Sequence, residues 1–116
     1  MNRDTLIKIV IESLEDSKAN DIKNIDVTHL TDVVDNVVVC SATSTRHASS
    51  IADKLVKASK ENGVRPLGME GEAEGEWILI DLHDAVVHIM LPDAREYYDI
   101  EKLWSATESF RQQNES

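Results

Sequence analysis

The chain has 116 residues, 41% of them hydrophobic, a formal net charge of −10 and one cysteine. That length suits one domain with a modest core, read here as residues 4–105 followed by a polar tail over 106–116. No apolar run approaches the roughly 18 residues of a membrane helix, the acids in MNRDTLIKIVIESLEDS argue against a secretory signal, and Cys40 alone can form no internal disulfide, which suits a cytoplasmic setting.

Residues 4–18 read as a helix, with Asp4 as its N-cap and Ile7, Val10, Ile11 and Leu14 as its apolar stripe. Residues 21–27 alternate as a strand, and 28–36 are polar and turn-like. The run NVVVCS over 36–41 is how a strand covered on both faces reads. Residues 43–62 read as a helix that opens in a Ser/Thr-rich cluster, turns Ile51, Leu55 and Val56 inward and stops at Gly63. A short strand is expected over 65–69, then a hairpin. Pro92 breaks the second hairpin strand and can open a helix, continued helically over 99–111. Leu103 and Trp104 are expected to pack back onto the sheet. The order is α-β-β-α-β-β-β-α, with the buried strand, the long helix and the short strand forming a right-handed crossover between parallel strands. The fold class is α/β: a small mixed β-sheet flanked by helices.

The hairpin is the most informative stretch. A two-residue turn at His83-Asp84 pairs Asp81 with Val86, Leu79 with His88 and Trp77 with Met90. One face is then aliphatic: Ile78, Ile80, Leu82, Ala85, Val87, Ile89 and Leu91. The other carries Trp77, Leu79, Asp81, Val86, His88 and Met90, a mixture that suits recognition better than a core. Tyr97 and Tyr98 are adjacent, so a helix cannot bury both equally, and one is expected to lie exposed near Trp77. From Pro66 to Ala94 there is no Lys or Arg, while Glu70, Glu72, Glu74, Glu76, Asp81, Asp84 and Asp93 fall in that span. Such a field repels phosphate backbones and anionic membranes and favours a basic partner.

Catalytic readings are poorly supported. The hydroxyls of SATSTRH (41–47) sit where an α/β fold can hold an anion, but no glycine frees the backbone to wrap one, and helix capping accounts for them. Ser44, His47 and Asp53 could be drawn as a triad, yet no nucleophile elbow surrounds Ser44. Cys40 lies in the buried strand and reads as a small hydrophobe. His29, His47, His83 and His88 lack zinc-site spacing. Asp81 and Asp84 straddle a turn, which points them apart, whereas two-metal chemistry needs convergence. No catalytic, cofactor or metal residues are assigned.

Residues 20–105 also carry LTD before the buried strand, then S-x-T-S-x-R-H, PL-x-x-EG, GEW-x-x-x-D, D-x-VVH, LP-x-x-RE-x-YD and LW, in that order. This series closely resembles the Iojap-like family, the ribosomal silencing factors. The resemblance implies a nucleotidyltransferase-like fold without the catalytic carboxylates and no enzyme activity. It implies binding to large-subunit ribosomal protein fourteen on the intersubunit face of the large ribosomal subunit. Joining of the small subunit would be blocked and translation damped in starvation. The candidate partner-binding residues are Trp77, Leu79, Asp81, Asp84, His88, Met90, Arg95, Tyr97 and Tyr98. No direct sequence-specific nucleic-acid binding is expected; a homodimer is a further candidate assembly. A nucleotidyltransferase-like enzyme or nucleotide-binding protein is the alternative. Three positions depart from the family's usual pattern: no bulky aromatic at Asn36-Val37, Ala42 for glycine, and His83 for glycine at the hairpin turn. Histidine tolerates a positive φ better than most side chains.

Overall fold

A computed structural model describes residues 2–104. Its elements are α1 (Arg3–Asp16), β1 (Asn20–Asp26), β2 (Asn36–Ser41), α2 (Thr45–Glu61), β3 (Gly68–Glu70), β4 (Trp77–Asp81), β5 (Ala85–Met90) and α3 (Pro92–Tyr98). After Asp99, residues 100–104 are again helical. The expected helix over 99–111 runs past the described residues, as does the polar tail.

The five strands form one mixed sheet in the order β1-β2-β5-β4-β3. β2 and β5 pair in parallel at its centre; every other pairing is antiparallel. The run NVVVCS is buried at every position, as its composition predicts. The hairpin register is the predicted one, with Asp81 beside Val86, Leu79 beside His88 and Trp77 beside Met90. At the turn His83 has φ 74°, so histidine occupies a left-handed position that glycine takes more cheaply. β3 does run parallel to β2, but β5 and β4 lie between them, so the crossover spans two strands.

Each sheet face has its own apolar cluster. Val38, Cys40, Ile78, Ile80, Val87 and Ile89 meet α1 and α2 through Leu6, Val10, Leu14, Ile51 and Leu55. Opposite them, Val27, Val37, Val39 and Met90 are buried, with Trp77, Ala94, Ile100 and Trp104 packed over them. Trp104 therefore packs back as expected, whereas Leu103 is 64% exposed. A helix shows only part of its circumference to the sheet, and adjacent residues leave it in different directions.

Several local expectations are corrected. The N-cap of α1 is Asn2, which accepts from the Thr5 amide at 2.8 Å; Asp4 lies inside the first turn, where its charge suits the helix dipole. The short strand is Gly68–Glu70, because the Leu67 amide already bonds the Asp81 carbonyl at 2.8 Å and regular pairing starts one residue later. Asp99 has φ 44° and divides α3 from residues 100–104, so the C-terminal helix is two pieces.

Candidate functional site

The second sheet face is covered differently from the first. Two long helices seal the first, while the seven-residue α3 and residues 100–104 cover only part of the second. Trp77, Leu79, Asp81 and Val86 are left half-buried. Pro92 opens α3 at its first turn, where its missing N–H costs nothing, and directs the chain back across this face.

An aromatic series follows. The Trp77 indole N–H donates to His88 Nδ1 at 3.0 Å. The Tyr98 ring lies 4.6 Å from the Trp77 ring, and Tyr97 meets Tyr98 edge-on at 5.0 Å. Such tilted and edge-on pairs suit the ring quadrupoles. Both tyrosines are exposed, Tyr97 at 81% and Tyr98 at 54%, where the sequence suggests a single exposed ring. The helix is short and ends at the left-handed Asp99, and neither ring is buried in the cluster beneath.

His88 is buried, and burial holds its pKa down at about 4. The ring is neutral at pH 7, and the indole bond to Nδ1 places its proton on Nε2. His88 thus fixes the indole from beneath rather than offering a charge. Asp81 is half-buried, and its Oδ1 accepts from the His83 amide at 3.0 Å, so it also shapes the turn.

Three of the candidate contact residues stand apart from the open part of this face. Met90 is 0% exposed within the second cluster and has no surface to give a partner. Asp84 stands beyond the opposite end of the hairpin from Trp77, farther than the roughly 14 Å that the four-residue rise from Trp77 to Asp81 spans. Arg95 is occupied internally: its side chain is 12% exposed, Nε meets Glu101 Oε1 at 2.6 Å, and Nη1 donates to Ser41 Oγ at 2.7 Å. Lys23 Nζ reaches the same carboxylate at 3.4 Å. The Arg95 hydrogen bond holds the Glu101 carboxyl below its ordinary range. Arg95 therefore ties α3 and residues 100–104 to the end of β2. Ser41 and Glu101 had no sequence signal for this, because the contact joins positions far apart in the chain.

Replacing Arg95 with methionine keeps the apolar stem but removes the guanidinium. We expect a loss of about 2 kcal/mol, less than the roughly 3–5 kcal/mol for breaking a fully buried pair, because Lys23 still reaches the Glu101 carboxylate. Chemical denaturation checks this; a change within about 0.5 kcal/mol, typical of an ordinary surface site, would show that the latch contributes nothing.

The hydroxyl cluster caps, as predicted. Ser44 is the N-cap of α2, its Oγ accepting from the His47 amide at 3.0 Å. His47 Nδ1 accepts from the Thr43 amide at 3.0 Å, and its Nε2 lies 2.9 Å from the Ser17 carbonyl. Both ring nitrogens are thus committed, joining the start of α2 to the end of α1, and the ring does not serve Ser44 as a base. Burial pushes the Cys40 thiol up to about 12, so it stays protonated and inert.

The fold and this face together define a small α/β domain with one helix-sealed sheet face and one aromatic, acid-flanked face. The family model described as ribosomal silencing factor during starvation matches residues 1–116, and the chain belongs to that family. It is 41% identical over 100 residues to ribosomal silencing factor RsfS of Haemophilus influenzae, covering 86% of this chain and 98% of that one. A mouse relative named mitochondrial assembly of ribosomal large subunit protein 1 is 35% identical; the match covers 85% of this chain and 45% of that protein. A crystal structure of a Chromobacterium violaceum protein superposes with a TM-score of 0.89 at 42% identity, covering 90% of this chain and 88% of the other.

Proposed function

We propose that the chain binds the large ribosomal subunit through large-subunit ribosomal protein fourteen and sterically blocks joining of the small subunit, damping translation in starvation. It acts in the cytoplasm, by occupancy rather than by catalysis. The series of half-buried Trp77 and exposed Tyr98 and Tyr97 carries this reading: large aromatics with fixed orientation, on a face whose surrounding acids suit a basic protein. Family membership supports the ribosome as the destination. Co-sedimentation tests it. The protein should pellet with isolated large subunits and not with small ones, with affinity falling as salt rises. Equal pelleting with both, or none with the large subunit, sinks the reading. A second copy of the chain could occupy the same face, and gel filtration with and without large subunits would reveal that competition.

Charge on this face should divide by position. Asp81→Lys is expected to abolish binding, through repulsion and loss of the acceptor that holds the turn. Asp81→Asn keeps an acceptor and isolates the charge. Glu72→Lys and Glu74→Lys lie on the exposed loop before β4 and should mainly slow association. On- and off-rates separate the two classes. Wild-type binding by Asp81→Lys beside failure of the loop variants would move the interface to the loop.

A further inference from the structure

Beside the aromatic series lies a groove of about 590 Å³. It opens where the chain leaves the two parallel strands, β2 towards Thr43 and β5 towards Leu91 and Pro92. In α/β sheets the carboxyl ends of parallel strands are where crevices form. Its floor is fixed by backbone bonds: the Ala42 amide to the Met90 carbonyl at 3.0 Å, and the Leu91 amide to the Glu76 carbonyl at 2.9 Å. Leu91 and Pro92 make that floor apolar. Glu76, immediately before β4, and Asp93, in the first turn of α3, both line it. Tyr97 follows Asp93 by one helical turn, so both line the groove from one helix face.

The charges in this groove are unanswered. Among the described residues neither Glu76 nor Asp93 takes part in an ion pair or a side-chain hydrogen bond. No lysine or arginine lines the groove. Arg95, the nearest cation along the chain, is committed to Glu101 and Ser41. Two free carboxylates, an exposed tyrosine ring held edge-on by its neighbour, and an apolar floor fit a cation on an aliphatic stem. A guanidinium fits best, since it can stack on the ring while donating to both carboxylates. The same charges oppose a phosphate or an RNA backbone.

We infer that this groove receives an arginine side chain from an extended basic segment of the ribosomal protein partner. The inference rests on the proposed function and adds to it the chemistry of one contact. The arginine stem lies over Leu91 and Pro92, and its head sits between Glu76 and Asp93 against Tyr97. The groove has room for one such side chain and the stretch of chain carrying it.

The test is binding of purified large subunits by the full chain and by Glu76→Gln, Asp93→Asn and the double variant, across a salt series. Both positions are exposed and unpaired, so the variants should melt with the parent protein. Tyr97→Phe, which keeps the ring, and Tyr97→Leu, which removes it, form a second pair. Each charge removal should weaken binding about tenfold and flatten its salt dependence, a reasonable scale for a close interfacial charge pair. Tyr97→Leu should bind more weakly than Tyr97→Phe, because only phenylalanine keeps the ring on which the guanidinium stacks. If the parent binds while the double variant shows equal affinity and the same salt slope, the arginine groove is overturned and the ribosomal reading stands. If the parent does not bind large subunits, both fall together.

Discussion

Trp77→Ala is expected to cost both stability and binding, in amounts that can be separated. The ring packs on the second cluster, so truncation should remove roughly 3 kcal/mol, the scale for a large aromatic in a partly collapsible site. For a chain of this size that lowers Tm by on the order of 12–20 °C. Tyr98 loses the ring it rests on, and His88 Nδ1 loses its donor. The exposed part of the indole is the proposed anchor, and its loss should weaken large-subunit binding about thirtyfold or more. Trp77→Phe divides the two roles. It keeps a ring beneath Tyr98 but leaves a buried acceptor unpaired, at about 1–3 kcal/mol. Binding is to be measured well below each variant's Tm. If folded Trp77→Ala binds like the parent, Trp77 is a structural residue and the anchor must be sought at Tyr97 or Tyr98.

Acid should unfold the protein partly through His88. The folded pKa is about 4, against 6.5 for a free histidine. Above pH 6.5 the ring is neutral in both states and has no influence on stability. Between 6.5 and 4 the unfolded chain takes up a proton that the folded chain refuses, so stability falls as pH falls. Below about 4 the effect levels off. The full loss is about 3 kcal/mol, since each pH unit separating the folded from the free value is worth about 1.36 kcal/mol. Glu101 acts in the same direction at lower pH: its depressed pKa supplies stability above the ordinary carboxylate range that is lost on protonation. His88→Asn isolates the histidine, since asparagine can still accept from the indole but does not titrate there. Denaturant midpoints between about pH 7 and about pH 4 should fall more steeply in the parent than in His88→Asn. Parallel slopes would show that His88 is not the acid-sensitive group.

The local order of this chain was largely legible in its residues, for identifiable reasons. NVVVCS has apolar side chains at four consecutive positions, which admits little except a strand covered on both faces. The hairpin alternates so strictly that register and faces follow together. What escaped was non-local. Nothing near Arg95 in the sequence says that Ser41 and Glu101 will satisfy it, so an exposed-looking arginine became a latch. Met90 shares a strand face with Trp77, but only the return of α3 and residues 100–104 across that face buries one and leaves the other half-open. The groove left a partial signal, the long stretch without lysine or arginine; its geometry depended on where Pro92 sends the chain.

The parallel pairing at the centre of the sheet also governs how the chain acquires its structure. Asn36 lies beside Ala85 and Ser41 beside Met90, with all of α2, β3 and β4 between them in sequence. Closing so large a loop precedes the reward of the contact, which places folding on the slow side for a small domain. During synthesis the β1–β2 pair and the two helices can form early, but β2 keeps one edge open until β5 has left the exit tunnel. A nascent chain stopped short of Met90 therefore has neither its central strand pair nor the aromatic face that follows it. Length and function are coupled: early termination leaves an aggregation-prone fragment with an unpaired strand, not a weaker version of the protein.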